Sequence, residues 1–170
     1  MAINFLEQLI AEWYEYRGYF VRRNVLVGLR PKGGYECELD IVAYHPKTES
    51  LVQIEPSMDA DSWEVREKRY QKKFEAGRKY IPALFQGFQL PENIDQTAVL
   101  VFASKQNHEN LAGGKLILAS ELLEKIFIDL QSKHLSSNAI PEHLTILRSF
   151  QFVSEYKEII INVWQEHKKI

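Results

Sequence analysis

The chain has 170 residues, of which 45% are apolar and 26% charged, with a net charge of −2. This composition is typical of a soluble globular protein with one core, and it excludes a protein that coats nucleic acid through bulk charge. A single cysteine, Cys37, excludes an internal disulfide. The first residues lack the basic start and apolar run of a signal peptide, and no stretch approaches about 20 apolar residues. We therefore expect a cytoplasmic protein without membrane contact.

The first half of the chain predicts a helix followed by three strands. Apolar residues recur at three-and-four spacing over residues 4–16, which predicts an amphipathic helix. Segments 19–29, 35–44 and 49–55 are rich in β-branched and aromatic residues and are separated by short turn sequences. They predict a three-stranded antiparallel meander.

The second half predicts a long helix, a buried strand and several further helices. Asp59 and Ser62 are candidate N-caps for a helix to about Tyr80, before Pro82. An apolar run at 97–103 predicts an interior strand, and 115–118 a short one. Helices are expected at 120–132, from Pro141 to near Phe150, and at 154–168. We predict an α/β (α+β) single domain over 1–170, with a mixed central sheet in a core of about 5–118 and a helical extension of about 119–170.

Carboxylates gather on two neighbouring strands of the predicted meander. Residues two apart on a strand share a face, so Glu38 lies beside Asp40, and Gln53 beside Glu55. Glu7 adds a third carboxylate if its side of the first helix approaches the same edge. Hard cations prefer such oxygen ligands, and they assist phosphodiester hydrolysis. The pattern predicts a Mg²⁺ or Mn²⁺ site.

The same residues resemble the motifs of the PD-(D/E)xK phosphodiesterase superfamily, the restriction-endonuclease-like fold. The similarity covers about residues 5–103: Glu7 on a helix, Gly18-Tyr19 entering a strand, Glu38-Leu39-Asp40 before an apolar strand, and Glu55-Pro56-Ser57 on the next. The resemblance implies that Asp40 and Glu55 hold the metal. It also implies Glu7 or Glu38 as an outer ligand, with Gln53 or Glu38 positioning water.

The chain departs from the family pattern at Ser57, where a lysine is expected. A hydroxyl cannot offset the charge that develops on the phosphate. One remedy is a lysine from the following helix, with Lys68 and Lys72 as the candidates. The other is a shifted register in which Gln53-Ile54-Glu55 is the motif and Glu55 replaces the lysine. Both registers stay open on the sequence.

The helix after the acidic strands is the most basic segment of the chain. At 100° per residue, Arg66, Arg69 and Lys73 cluster on one side of it. Such a strip could hold a phosphate backbone beside the carboxylates, and a solvated helix face with local ion pairs is the alternative.

Two functions follow from these features. The first is a divergent metal-dependent nuclease, acting on DNA rather than RNA. The second is a catalytically inactive module that keeps the fold for nucleic-acid binding or protein assembly, which Ser57 favours. The C-terminal helices carry more apolar residues than a small sheet requires, so we predict a homodimer or docking to a larger nucleic-acid enzyme.

Overall fold

The computed structural model describes residues 4–105 and 108–166. The chain folds into two compact units, the first ending at Leu122 and the second beginning at Leu123. No helix within the described ranges is long and apolar enough to span a membrane.

The first unit is an α/β structure with a six-stranded mixed open sheet flanked by helices. Its strands lie in the order β1-β2-β3-β4-β6-β5. The β1-β2-β3 meander and the β5-β6 pair are antiparallel, whereas β3-β4 and β4-β6 are parallel. The predicted meander and mixed sheet are confirmed. Their bounds are α1 Phe5–Tyr16, β1 Phe20–Leu29, β2 Tyr35–His45, β3 Ser50–Ser57, α2 Trp63–Leu84, β4 Asp95–Leu100, β5 Asn110–Leu111 and β6 Gly114–Leu118.

The two helices of this unit begin at side-chain caps. Asn4 Oδ1 accepts a hydrogen bond from the Leu6 N–H, and Ser62 Oγ accepts one from the Val65 N–H. From these starts the helices bury their apolar stripes, including Leu9 of α1 and Phe74 of α2, which are both fully buried. The caps therefore fix where each helix begins, and the apolar stripe fixes which side of it faces the sheet.

Some predicted boundaries were wrong. Helix α2 continues through Pro82 to Leu84, because the buried Ile81 and Phe85 join a core cluster that offsets the hydrogen bond lost at the proline. Strand β4 ends at Leu100 rather than at residue 103, and β3 extends past Glu55 to Ser57.

The second unit contains most of α3 (Ala119–Leu130), with α4 (Thr145–Glu155) and α5 (Lys157–Glu166). The prediction of a helix starting at Pro141 was wrong, because the buried Gln151 accepts a hydrogen bond from the Ile140 N–H and Arg148 donates to the Ile140 carbonyl. The break falls at Tyr156 rather than near Phe150. The predicted end of the last helix, 167–168, lies outside the described residues.

Several large apolar side chains of α4 and α5 are exposed. Trp164 is 69% and Ile159 61% accessible, and Phe152 is also exposed. Their exposure is compatible with the predicted homodimer or docking surface, which stays a prediction.

Helix α2 crosses the sheet closely at Gly77. A Cβ at this position would lie 1.8 Å from Gln53 Oε1. Gln53 cannot easily move aside, because its amide is hydrogen-bonded to Glu55, to the Lys73 carbonyl and to Gln96. Only a residue without a side chain allows α2 to approach β3 this closely.

We expect Gly77→Ala to lower the free energy of unfolding by about 2 kcal/mol, because the overpacking cost exceeds the helix propensity gained, which is about 1 kcal/mol. Urea denaturation checks this, with Glu75→Ala, an exposed position of the same helix, as the control. An unfolding free energy for Gly77→Ala above that of wild type would contradict the close approach.

Candidate active site

The two predicted metal-binding carboxylates lie side by side on neighbouring strands. Ile41 of β2 is paired with Ile54 of β3, which brings Asp40 next to Glu55. The Asp40 N–H donates to Glu55 Oε2 at 3.3 Å. The Glu55 side chain is 1% exposed and that of Asp40 16%. The sheet therefore creates a pair of acidic groups of which one is fully buried.

Lys73 of α2 lies between these carboxylates. Its Nζ is 2.5 Å from Asp40 Oδ1 and 2.6 Å from Glu55 Oε2. Two acidic groups would repel each other strongly in this half-buried position, and the ammonium group offsets that repulsion. Asp40, Glu55 and Lys73 form the charge cluster to which the rest of the site is attached.

The lysine that reaches the carboxylates is thus neither Lys68 nor Lys72. Lys68 is 75% exposed and pairs with Glu64 within the helix at 2.7 Å, and Lys72 lies at an exposed rim. The inward stripe of α2 includes Tyr70, Phe74 and Gly77, and Lys73 is three residues after the first and four before the last. That spacing indicates that Lys73 lies on the inward side of α2. The predicted basic strip assigned Lys73 to phosphate contact instead.

Gln53 is a buried residue that supports the cluster through hydrogen bonds. Its amide nitrogen donates to Glu55 Oε1 at 2.8 Å and to the Lys73 carbonyl at 3.1 Å, while its oxygen accepts from Gln96 at 2.7 Å. Its side chain is fully buried. The prediction that Gln53 positions water was wrong, because its donors and its acceptor are engaged in orienting Glu55 and α2.

Glu7 is oriented toward the same region by the cap of α1. Asn4 Nδ2 donates to Glu7 Oε1 at 2.7 Å. Burial, together with the charges of Asp40 and Glu38, raises the pKa of Glu7, and the Lys73 charge opposes this. The influence of these charges indicates that Glu7 lies within electrostatic range of Asp40, Lys73 and Glu38. A role of Glu7 or Glu38 as an outer ligand stays a prediction.

A second ionic cluster follows β3 and uses two of the predicted phosphate-binding arginines. Arg66 Nε lies 3.3 Å from Asp59 Oδ1, and its guanidinium also donates to the carbonyls of Asp59 and Phe102. With its side chain 3% exposed, Arg66 cannot bind a phosphate backbone, so that assignment was wrong. Arg66 instead ties the start of α2 to the chain after β4.

Arg69 pairs with Asp59 at 2.5 Å and with Asp61 at 3.0 Å, but its side chain stays 36% exposed. Ser57 Oγ also donates to Asp59. Partial burial would raise the pKa of Asp59, but the hydrogen bonds from Ser57, the Asp61 N–H and Arg69 lower it to about 2. Ser57, where the resemblance would lead one to expect a lysine, thus belongs to a hydrogen-bonded network with Asp59 and Arg69.

The electrostatics of the main cluster depend on burial. Desolvation raises the pKa of Glu55, and the Lys73 charge opposes this. Desolvation would lower the pKa of Lys73, but Glu55 and Asp40 outweigh it and raise that pKa above its ordinary value. Lys73 is therefore a cation at neutral pH and cannot act as a general base.

The fit of a divalent metal to these residues is partial. Within 4–105 and 108–166, no three His, Cys, Asp or Glu side chains gather closely enough to hold an ion by themselves. Asp40 and Glu55 line a cavity of about 180 Å³ with Ser57 and Asp59. Mg²⁺ is commonly held by one or two carboxylates together with substrate phosphates, so two carboxylates suffice if a phosphate completes the shell. The metal would compete with Lys73 for them.

No protein-family model, curated protein or solved structure matches this chain. An assignment of function therefore depends on the geometry of the site.

We expect Lys73→Met to lower the free energy of unfolding by about 3 kcal/mol at about pH 8, because it leaves two adjacent carboxylates without a counter-charge. The loss should shrink toward about pH 5, because Glu55, with its pKa raised further, becomes protonated in the folded variant. Urea denaturation across this pH range measures both effects.

Lys68→Met is the matched control for this pH dependence. Its ion pair with Glu64 is exposed, so removal should change the free energy of unfolding by about 0.5 kcal/mol or less at either pH. A Lys73→Met loss that is equal at both pH values, or larger at the lower one, would contradict the role of the ammonium group.

Proposed function

We propose that this protein is a divergent metal-dependent nuclease of the restriction-endonuclease-like fold, acting on DNA. The observation that carries the proposal is the contact of the Lys73 ammonium group with both Asp40 and Glu55. It supplies, from the helix after β3, the cation that the family pattern expects at the position of Ser57. The order of Glu7 on α1, Asp40 on β2 and Glu55 on β3 agrees with the same family.

The geometry favours the register in which Glu55 is the motif glutamate. Glu55, not Gln53, adjoins Asp40 and contacts the lysine. In this register Asp40 and Glu55 are the metal ligands, and Glu7 and Glu38 lie in outer positions. The alternative register would require Glu55 to replace the lysine, a substitution that Lys73 makes unnecessary.

A bound Mg²⁺ or Mn²⁺ would polarise the phosphate and lower the pKa of the attacking water. Asp40 and Glu55 would hold the ion and release their ion pairs with Lys73. The ammonium group, released from the carboxylates, would then donate hydrogen bonds to a phosphate oxygen, where negative charge develops. Gln53 would keep Glu55 in position throughout, and Arg69 would contact the phosphate backbone nearby.

A second candidate function is an inactive module that binds nucleic acid or protein. The observation that favours it is the same pair of contacts, because Lys73 already satisfies both carboxylates and a metal must displace it. In that case the cluster is an internal structural ion pair. The two candidates differ in whether a metal ion displaces Lys73.

Wild-type protein should cleave DNA in Mg²⁺ or Mn²⁺ and lose activity in EDTA. We expect Asp40→Asn, Glu55→Gln and Lys73→Met each to reduce the cleavage rate by at least about 100-fold, since each removes a group that stabilises charge in the transition state. Cleavage of labelled single- and double-stranded DNA, resolved on gels, measures this.

Lys68→Ala is the control for cleavage, because its exposed side chain pairs only locally with Glu64. It should leave the cleavage rate unchanged. Activity in Asp40→Asn equal to wild type would rule out the proposed site, and folded wild type without activity in either metal would support the inactive module.

A further inference from the structure

A second cavity of about 570 Å³ opens beside the carboxylate cluster. It shares Asp40, Arg69 and Lys73 with the smaller cavity that contains Glu55. Its volume lies within the range of sites that bind one small molecule. The second cavity therefore adjoins the proposed phosphate position at Lys73.

The two walls of the cavity differ in chemistry. The α2 wall carries the cations Arg69, Lys72 and Lys73. The facing β1-β2 hairpin contributes apolar, aromatic and acidic side chains: Leu26, Tyr35, Glu36, Cys37, Glu38 and Asp40. Tyr35 is 44% and Leu26 49% accessible, so a ring and an apolar side chain remain open to a ligand. Cations bind phosphates, an aromatic ring stacks on a base, and a carboxylate accepts from the exocyclic amino group of a base.

The cationic wall is partly fixed before a ligand arrives. Asp59 and Asp61 hold the Arg69 guanidinium, yet about a third of its side chain stays accessible. Lys72 is exposed one residue before the catalytic candidate Lys73. Both cations line the cavity, so one lies at the proposed reaction site and the other is available to a phosphate beside it.

We propose that this cavity binds one unpaired nucleotide, with its phosphate on α2 and its base against Tyr35, so that the protein takes single-stranded DNA. The inference rests on the proposed function for the scissile phosphate at Asp40 and Lys73. In a duplex the faces of the bases are covered by their neighbours, and exposing one to Tyr35 costs unstacking energy. A single strand avoids this cost.

The test is fluorescence anisotropy in EDTA, with a labelled single strand of about 12 nucleotides, a length within the range that single-strand-binding folds cover, and with the same strand in a duplex. Tyr35→Ala should weaken single-strand binding by about 5- to 150-fold, the equivalent of one lost base stack. Tyr35→Phe, which retains the ring, is the matched control and should bind like wild type. Thermal melting verifies that both variants are folded.

The salt dependence of binding tests the cationic α2 wall of the cavity. Lys72→Ala should reduce the slope of log affinity against log salt concentration by about 0.7, the value for one lost phosphate contact on a single strand. Lys68→Ala, on the same helix and exposed, should leave the slope unchanged.

The inference is overturned if Tyr35→Ala binds the single strand like wild type, or if wild type binds the duplex as tightly. It is also overturned if the matching RNA strand binds more than about 10-fold tighter, a difference of one logarithmic unit in affinity. Binding is measured without metal, so the two proposals can fail separately. If the protein binds the single strand through Tyr35 but does not cleave DNA, the nucleotide site is supported and the nuclease function is ruled out. If it cleaves both DNA forms and Tyr35→Ala has no effect, the nuclease function is supported and the nucleotide site is ruled out.

Discussion

The contact of one ammonium group with two carboxylates is the interaction on which the site depends. Strand pairing brings Asp40 and Glu55 together, and the Glu55 side chain is almost fully buried. Such a pair is stable at neutral pH only if its charge is reduced. Lys73 offsets one of the two negative charges, and burial raises the pKa of Glu55 and so favours its protonated form. The position of α2 over the sheet, set by its buried stripe and by Gly77, brings Lys73 within reach of both carboxylates.

A layer of uncharged contacts holds this charge cluster in place. Gly77 allows α2 to approach Gln53, whose amide orients Glu55 and accepts a hydrogen bond from Gln96 of β4. Three strands and a helix are thereby joined around one buried carboxylate. A rigid support of this kind favours a site in which Lys73 can exchange partners while Glu55 stays fixed, which is what binding of a metal would require.

The sequence was sufficient for five of the six strands and for the carboxylates, because strand periodicity places Asp40 and Glu55 on their faces. The two-residue strand β5 was not predicted, since it is too short to show a pattern. The sequence did not identify the lysine, because helical spacing allows several cations of α2 to lie near β3. Only the close approach of α2 to β3 at Gly77 brings Lys73 to the carboxylates. The burial of Arg66 could not be predicted from the sequence either, because its partners include backbone carbonyls far along the chain, such as that of Phe102. Long-range contacts of this kind leave no local pattern.

The most direct test of the proposed site is a crystal structure of the protein with Mn²⁺ and a single-stranded phosphorothioate oligonucleotide, with the metal located by anomalous scattering. We predict a manganese peak within about 2.5 Å of both an Asp40 and a Glu55 oxygen, a distance expected for direct coordination of a hard cation. We also predict that the Lys73 amine has left the carboxylates and contacts the phosphate. Undisturbed Lys73 ion pairs without metal between the carboxylates would contradict both expectations and identify the cluster as structural.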